Sequence, residues 1–153
     1  MRIEDEIKSK FKSEYHKLVV NLHVTSSRIG ESLQAEMKKH DLTGTQYNVL
    51  RILRGQNQKP ASIGLIKERM IERNSDVSRI IDRLVKKELI IRKENCSDRR
   101  QKDVMISQKG LDILAKIDVK DDNIKDILGH LSEKEVAQLN ELLDKARSKN
   151  DAT

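Results

Sequence analysis

Between Glu4 and His40, apolar residues recur at Ile7, Phe11, Tyr15, Leu18, Leu22, Ile29 and Leu33, in steps mostly of three and four. The stretch has no Pro and one Gly, so the spacing predicts one long helix with a single apolar stripe. Tyr15, Leu18, Leu22 and Ile29, with Thr25 between them, follow a heptad-like step. A stripe of that length exceeds what one small core covers, and a partner chain is expected to bury it. Thr43-Gly44-Thr45-Gln46 reads as a capping box, with Leu42 and Tyr47 in the positions of a hydrophobic staple. Leu50 and Leu53 continue the buried face of that second helix, and Gly55 suits its stop. A polar loop from Gln56 to Pro60 follows, then an extended Ala61-Ser62 and a short helix from about Ile63 to Met70.

The pattern breaks at Ile71-Glu72-Arg73-Asn74, where Asn74 or Ser75 is expected to cap a new helix. Val77, Ile80, Ile81, Leu84 and Val85 form its apolar face, opposite Ser75, Asp76, Ser78, Arg79, Asp82, Arg83 and Lys86. Leu89-Ile90-Ile91-Arg92-Lys93 is β-branched enough for a strand, and Val104-Met105-Ile106 returns from a charged loop as its partner. Ser107 is placed to cap a helix carrying Leu111, Leu114 and Ile117, then Ile124, Ile127 and Leu128, with a bend expected over Asp118 to Asn123. Leu131-Ser132-Glu133-Lys134-Glu135-Val136 is a second capping box with a staple, opening a final helix through Leu139, Leu142, Leu143 and Ala146. The predicted fold is mainly α with a small β-hairpin.

Composition agrees with long helices: of 153 residues, 37% are charged and 2% aromatic. The formal net charge of +6 favours a polyanionic partner without specifying one. Its placement says more. From Lys67 to Lys109 there are thirteen Lys or Arg against eight Asp or Glu, nearly the whole excess in one segment. Such a localised surplus is what neutralising phosphates requires. The single cysteine, Cys96, excludes an internal disulfide and fits a reducing compartment. An acidic start and the lack of an apolar run near the ~18 residues of a membrane span point to a cytoplasmic protein.

Two helices joined by a tight turn and followed by a basic hairpin make a winged helix-turn-helix. The second helix of such a pair fits the major groove. Arg79 and Arg83 lie one turn apart on its polar face, where a guanidinium can grip guanine with two hydrogen bonds. Ser75, Asp76 and Ser78 sit at its start, suited to capping or to phosphate contact. On the hairpin, Arg99, Arg100 and Lys102 offer cations to a narrow minor groove, with Asp98 placed to orient an arginine. Each of these arginines also has a plain reading as a solvated side chain; their shared context favours DNA. His16, His23, His40 and His130 make no metal motif, and no metal or cofactor is expected. No phosphate loop, nucleophile elbow or acid pair suggests an enzyme.

From Leu42 to Leu114 the chain resembles the MarR family of regulators. The resemblance rests on Val77-Ser78-Arg79-Ile80-Ile81-Asp82-Arg83-Leu84, Leu89-Ile90-Ile91-Arg92, Asp98-Arg99-Arg100 and Val104-Met105-Ile106-Ser107-Gln108-Lys109-Gly110. It implies a single domain over residues 1–153, with residues 42–107 as the DNA-binding lobe and residues 4–40 and 108–150 as the dimerisation region. It also implies a homodimer reading a pseudo-palindromic double-stranded operator, acting as a repressor, with wing arginines in the flanking minor grooves. Small amphipathic or phenolic effectors would then occupy a crevice between the dimer helices and the DNA-binding lobe, a region that draws on Tyr15, His16, His23, Tyr47 and Arg51. Two departures stand out. The family has Gly at the turn into the wing, where this chain has Glu88; a left-handed non-Gly residue there costs on the order of 1 kcal/mol. Peroxide-sensing members carry a reactive Cys in the N-terminal helix, whereas the one thiol here is Cys96. The alternative reading is a winged-helix module that binds protein, whose DNA affinity would be weak or sequence-blind.

Overall fold

The computed structural model describes residues 2–95, 102–118 and 128–148. Asp98, Arg99, Arg100 and Cys96 of the wing tip lie outside the described residues, as do Ile124 and Ile127. The chain forms two compact units, Met1–Lys120 and Asp121–Thr153.

In the first unit the elements run α1 (Ile3–Ile7), α2 (Glu14–Lys39), α3 (Gly44–Arg54), α4 (Ile63–Arg69), α5 (Val77–Lys86), β1 (Ile90–Glu94), β2 (Lys102–Ile106) and α6 (Gln108–Asp118). The single helix expected over Glu4 to His40 is broken. Lys8 turns left-handed with φ 52°, and Ser13 caps α2 by accepting the His16 N–H at 3.2 Å. Local chemistry explains the break. In a continuous helix Lys8 and Lys12 would be like charges one turn apart, while Ser13 offers a competing cap. The short α1 instead buries Ile3 and ties back to α2 through Glu4–Lys17 at 2.6 Å and Glu6–Arg28.

The remaining 26 residues of α2 span about 39 Å at 1.5 Å per residue. They end in a left-handed Asp41, with the Leu42 N–H on the Met37 carbonyl (3.0 Å) and the Asp41 N–H on Lys38 (3.2 Å). Met37 and Leu42 are both buried, so the apolar contact that accompanies such a stop is present. The capping box opens α3 as its sequence implies: Thr43 Oγ1 accepts the Gln46 N–H, and Gln46 Oε1 accepts the Thr43 N–H. Gly55 keeps a right-handed φ of −65°, and the positive φ falls on Asn57 and Gln58. The chain leaves α3 through successive tight turns rather than one glycine hinge.

Around α3 the core gathers Val49, Leu50 and Leu53 with Ile66 of α4, Val77, Ile81 and Leu84 of α5, and Leu114 and Ile117 of α6. The hairpin is antiparallel, with Ile90 opposite Ile106 and Glu94 opposite Lys102. Ile90, Val104 and Ile106 face inward, so the base of the wing belongs to the core. Ala61 adds an isolated bridge, exchanging two 2.9 Å backbone hydrogen bonds with Val104.

The cap of α5 is Asp76, not Asn74 or Ser75: its carboxylate accepts the Arg79 N–H at 3.1 Å. Ser75 is drawn into the preceding turn through its N–H on the Glu72 carbonyl, and the burial of Val77 sets the register of the helix start. At the other end Glu88 takes φ 61°. The Leu89 N–H reaches the Leu84 carbonyl at 3.0 Å and the Glu88 N–H reaches Val85 at 2.9 Å, the two bonds of a Schellman stop. Glu88 is fastened by Lys109 at 3.0 Å and by the Ser107 hydroxyl, which donates to its carbonyl at 2.7 Å. Ser107 Oγ also accepts the Gly110 N–H, which caps α6. A Cβ on Gly110 would stand 2.3 Å from the Leu89 carbonyl oxygen, so only glycine lets α6 approach the wing base this closely.

The second unit contains α7 (Glu133–Arg147), opened by the Ser132–Glu135 capping box that its sequence predicts. The Glu135 carboxylate is held below its usual pKa of 4.5 by hydrogen bonds from the Ser132 hydroxyl and backbone N–H.

Candidate nucleic-acid interface

The turn Ile71–Asp76 delivers α5 with its apolar side inward, and that packing decides which side chains reach solvent. Val77, Ile81 and Leu84 are buried, so a helix of 3.6 residues per turn must present Ser78, Arg79, Asp82, Arg83 and Lys86 outward; all five are exposed. Ser75 is half-buried, and Asp76 is exposed while its carboxylate caps the helix. The structure therefore brings Ser78, Arg79 and Arg83 onto one open face and holds Asp76 at its edge as a structural group.

The acids nearby are drawn off sideways. Asp82, on the same face, pairs with Arg92 of β1, which ties the helix to the wing strand. Glu88 is paired with Lys109. Among the described residues neither Arg79 nor Arg83 has an ion-pair partner, so both cations stay available to a polyanion. Behind them a shallow basin of about 450 Å³ collects Lys38, Arg83, Lys86 and Lys87 against one acid, Asp41, which binds Lys87 at 2.9 Å. This extends the positive surface toward α2, and the sequence pattern alone did not single out Lys38 or Lys87. Lys87 directly follows α5, one turn after Arg83, whereas Lys38 lies near the end of α2, and only folding joins Lys38 to Arg83.

A second cavity, about 860 Å³, opens between α2 and α3. Ile29, Leu33 and Met37 form its apolar wall, Thr45, Tyr47, Asn48 and Arg51 its opposite side, and Ile71 and Glu72 of the turn close one end. Of the five residues expected at an effector crevice, Tyr47 and Arg51 line it. Arg51 donates to the Tyr47 hydroxyl at 2.9 Å, its guanidinium stands 5.7 Å from the ring centroid, and it lies 3.9 Å from Asp118. Tyr15, His16 and His23 do not line it; they lie on the N-terminal half of α2, where all three are exposed and His16 packs edge-on against Phe11. The cavity takes its α2 wall from positions 26–37 instead. The sequence offered no signal for Asn48, whose position on the cavity wall depends on how α3 meets the turn.

Among the described residues no group of three or more His, Cys, Asp or Glu is arranged to hold a metal ion. No helix among them is long and apolar enough to cross a membrane.

An amphipathic helix with exposed arginines, set at the end of a two-helix turn and braced by a two-stranded wing, defines the winged helix-turn-helix class of DNA-binding proteins. The chain matches the MarR family of DNA-binding transcriptional regulators over residues 42–102. It is 29% identical over 130 residues to the HTH-type transcriptional regulator MhqR of Bacillus subtilis, an alignment covering 83% of this chain and 87% of that one. A MarR mutant from E. coli, solved in complex with operator DNA, superposes with a TM-score of 0.77 at 25% identity, covering 92% of this chain and all of the other. An organohalide-sensing RdhR regulator in its 2,4-dichlorophenol-bound form has the same fold, with a TM-score of 0.79 at 19% identity over 91% of this chain and 85% of its own.

Proposed function

We propose that the protein is a cytoplasmic, homodimeric repressor that reads a pseudo-palindromic operator in double-stranded DNA and is released by a small-molecule effector. The observation that carries the DNA reading is the exposed couple Arg79 and Arg83, without an ion-pair partner among the described residues, on a helix whose other face is sealed in the core. In this reading α5 enters the major groove, Arg79 and Arg83 contact base edges or phosphates, Ser75 and Ser78 contact phosphate, and Asp76 holds the helix start in position. The wing residues Arg99 and Arg100 reach the flanking minor grooves, with Asp98 orienting one of them. The related MarR structure bound to operator DNA supports this use of the fold.

Dimerisation is supported by an apolar stripe left in solvent on α2: Tyr15 is 83% exposed, Leu18 50%, Val19 64% and Leu22 39%. Four apolar residues at i, i+3, i+4 and i+7 make one continuous face, the pattern of a helix that packs on another. Helix α7 likewise carries exposed Val136, Leu139 and Leu142. The cavity between α2 and α3, with an apolar wall and a Tyr–Arg pair opposite, suits an effector with an aromatic ring and a polar edge. An effector acts by preferring one of the two spacings that the recognition helices of a dimer can adopt.

Selection of binding sites from a random duplex pool tests the proposal. A two-fold-symmetric motif is expected, with half-sites about one helical turn, ~10 bp, apart centre to centre. Enrichment of no motif, or of a single unpaired half-site, would overturn it.

A further inference from the structure

We infer that Asn48 is the relay between the cavity and the helix-turn-helix, and that a phenolic ligand acts by drawing its carboxamide away from the turn. The ligand half of this inference rests on the effector reading above; the part played by Asn48 in holding the turn does not.

Asn48 stands half-buried on α3, and its Oδ1 accepts the backbone N–H of Ile71 at 2.9 Å, 23 residues along the chain. Ile71 is where the chain leaves Met70, the buried residue that ends α4, and begins the turn into α5. The turn's other hydrogen bonds are local. Ser75 bonds back to Glu72, and Asp76 caps its own helix. The Asn48–Ile71 bond instead joins the turn to α3, in the centre of the lobe. It thereby helps fix where Asp76 and the first turn of α5 sit, and with them the direction of Arg79.

The same two residues face the cavity. Asn48 lines one side and Ile71 one end, and Ile71 is 84% exposed. An aromatic ring seated there covers the exposed apolar surface of Ile71, and a hydroxyl on that ring meets the Asn48 carboxamide. The carboxamide oxygen has two lone pairs, and a phenol O–H is a stronger donor than an amide N–H. Turning the carboxamide toward the ligand lengthens its bond to Ile71, and the turn shifts to positions in which α5 no longer matches the operator. Ligand and operator then oppose each other by the same factor, since coupling between two binding sites is reciprocal.

The test measures operator affinity by fluorescence anisotropy, and melting temperature beside it, for the wild type, Asn48→Ala and Asn48→Asp. Asn48→Ala is expected to bind the operator about fivefold more weakly, the population shift that one hydrogen bond sets. Asn48→Asp keeps an acceptor for Ile71 and is expected to stay within about twofold of wild type, while Asn48→Ala melts a few degrees lower yet is fully folded at the assay temperature. Wild-type affinity in Asn48→Ala, or an equal loss in Asn48→Asp, would overturn the relay. Titration with 2,4-dichlorophenol, the ligand of the related RdhR structure, completes the test. The phenol is expected to bind both proteins by calorimetry but to weaken operator binding only in the wild type. Equal weakening in Asn48→Ala overturns the relay and leaves the effector reading standing. Binding to neither protein overturns the ligand half, and the operator affinities alone then decide the place of Asn48.

Discussion

Helices α2 and α5 are both amphipathic, yet they treat their apolar faces in opposite ways. On α5, Val77, Ile81 and Leu84 are at most 4% exposed, sealed by α3, α4 and the wing base. On the N-terminal half of α2, Leu18 and Val19 are half-exposed or more. Burying a Leu or Val side chain is worth about 1.5–3 kcal/mol, so α5 has already collected that stabilisation and α2 has not. The core of the DNA-binding lobe is sealed within one chain, whereas the stripe of α2 is left for the partner surface that the proposed dimer would supply. In the proposed dimer, that division would keep each reading head rigid while the spacing between the two heads remains adjustable.

The largest expected effect breaks this comparison at α2. Leu18→Glu puts a charge into the stripe of both copies and is expected to weaken self-association by about 3–6 kcal/mol, twice the burial of one side chain. Sedimentation equilibrium would read the loss, with helix content and monomer melting retained. If the substitution unfolds the monomer instead, the stripe belongs to an internal core and the division fails. On the sealed side, Gly110→Ala forces a methyl group against the Leu89 carbonyl and is expected to destabilise the lobe by about 3 kcal/mol, the upper end of overpacking costs. Thermal melting would show it, with self-association of the folded fraction unchanged.

Smaller effects sharpen the contrast within α5 itself. Arg79→Ala lies on the open face and is expected to cost about 1–3 kcal/mol of operator affinity at a base-reading position, with stability unchanged. A folded variant that binds the selected operator at wild-type strength would remove Arg79 from the interface. Glu88→Gly relieves a left-handed backbone worth on the order of 1 kcal/mol and gives up only an exposed ion pair with Lys109. The melting temperature is expected to rise; a fall would mean that the Lys109 contact outweighs the strain. Last, the pKa of Glu135 is lowered by its hydrogen bonds to Ser132. Its contribution to α7 is therefore fully present above the ordinary value of 4.5 and is lost as pH falls through the depressed folded value. A Glu135→Gln variant is expected to show less of this acid sensitivity in the amide exchange of the first turn of α7.

Much of the fold was legible before any coordinates because its signals are local. A capping box needs two side chains three residues apart, and both Thr43–Gln46 and Ser132–Glu135 form where the pattern places them. The faces of α5 follow from a 3.6-residue period, and the strain at Glu88 follows from the backbone that a turn into the wing demands. The errors were local choices settled by distant contacts. Ser75 and Asn74 are as good caps as Asp76 in isolation, but the burial of Val77 selects one register. An unbroken stripe reads as one helix, until Ile3 finds a place to bury and Ser13 offers a cap.

The sequence by itself determined the order of helices, the winged helix-turn-helix and the arginines Arg79 and Arg83 on its open face. Each depends on spacing along a single element. Only the tertiary structure decided that Tyr47 and Arg51 share a cavity with α2 while Tyr15, His16 and His23 stay outside it. It alone joined Lys38 to Arg83, sent Asp82 to Arg92, and set Asn48 against Ile71. Periodicity states which face a side chain occupies. What that face meets depends on how the helices cross, and crossing is fixed by packing between residues far apart in the chain.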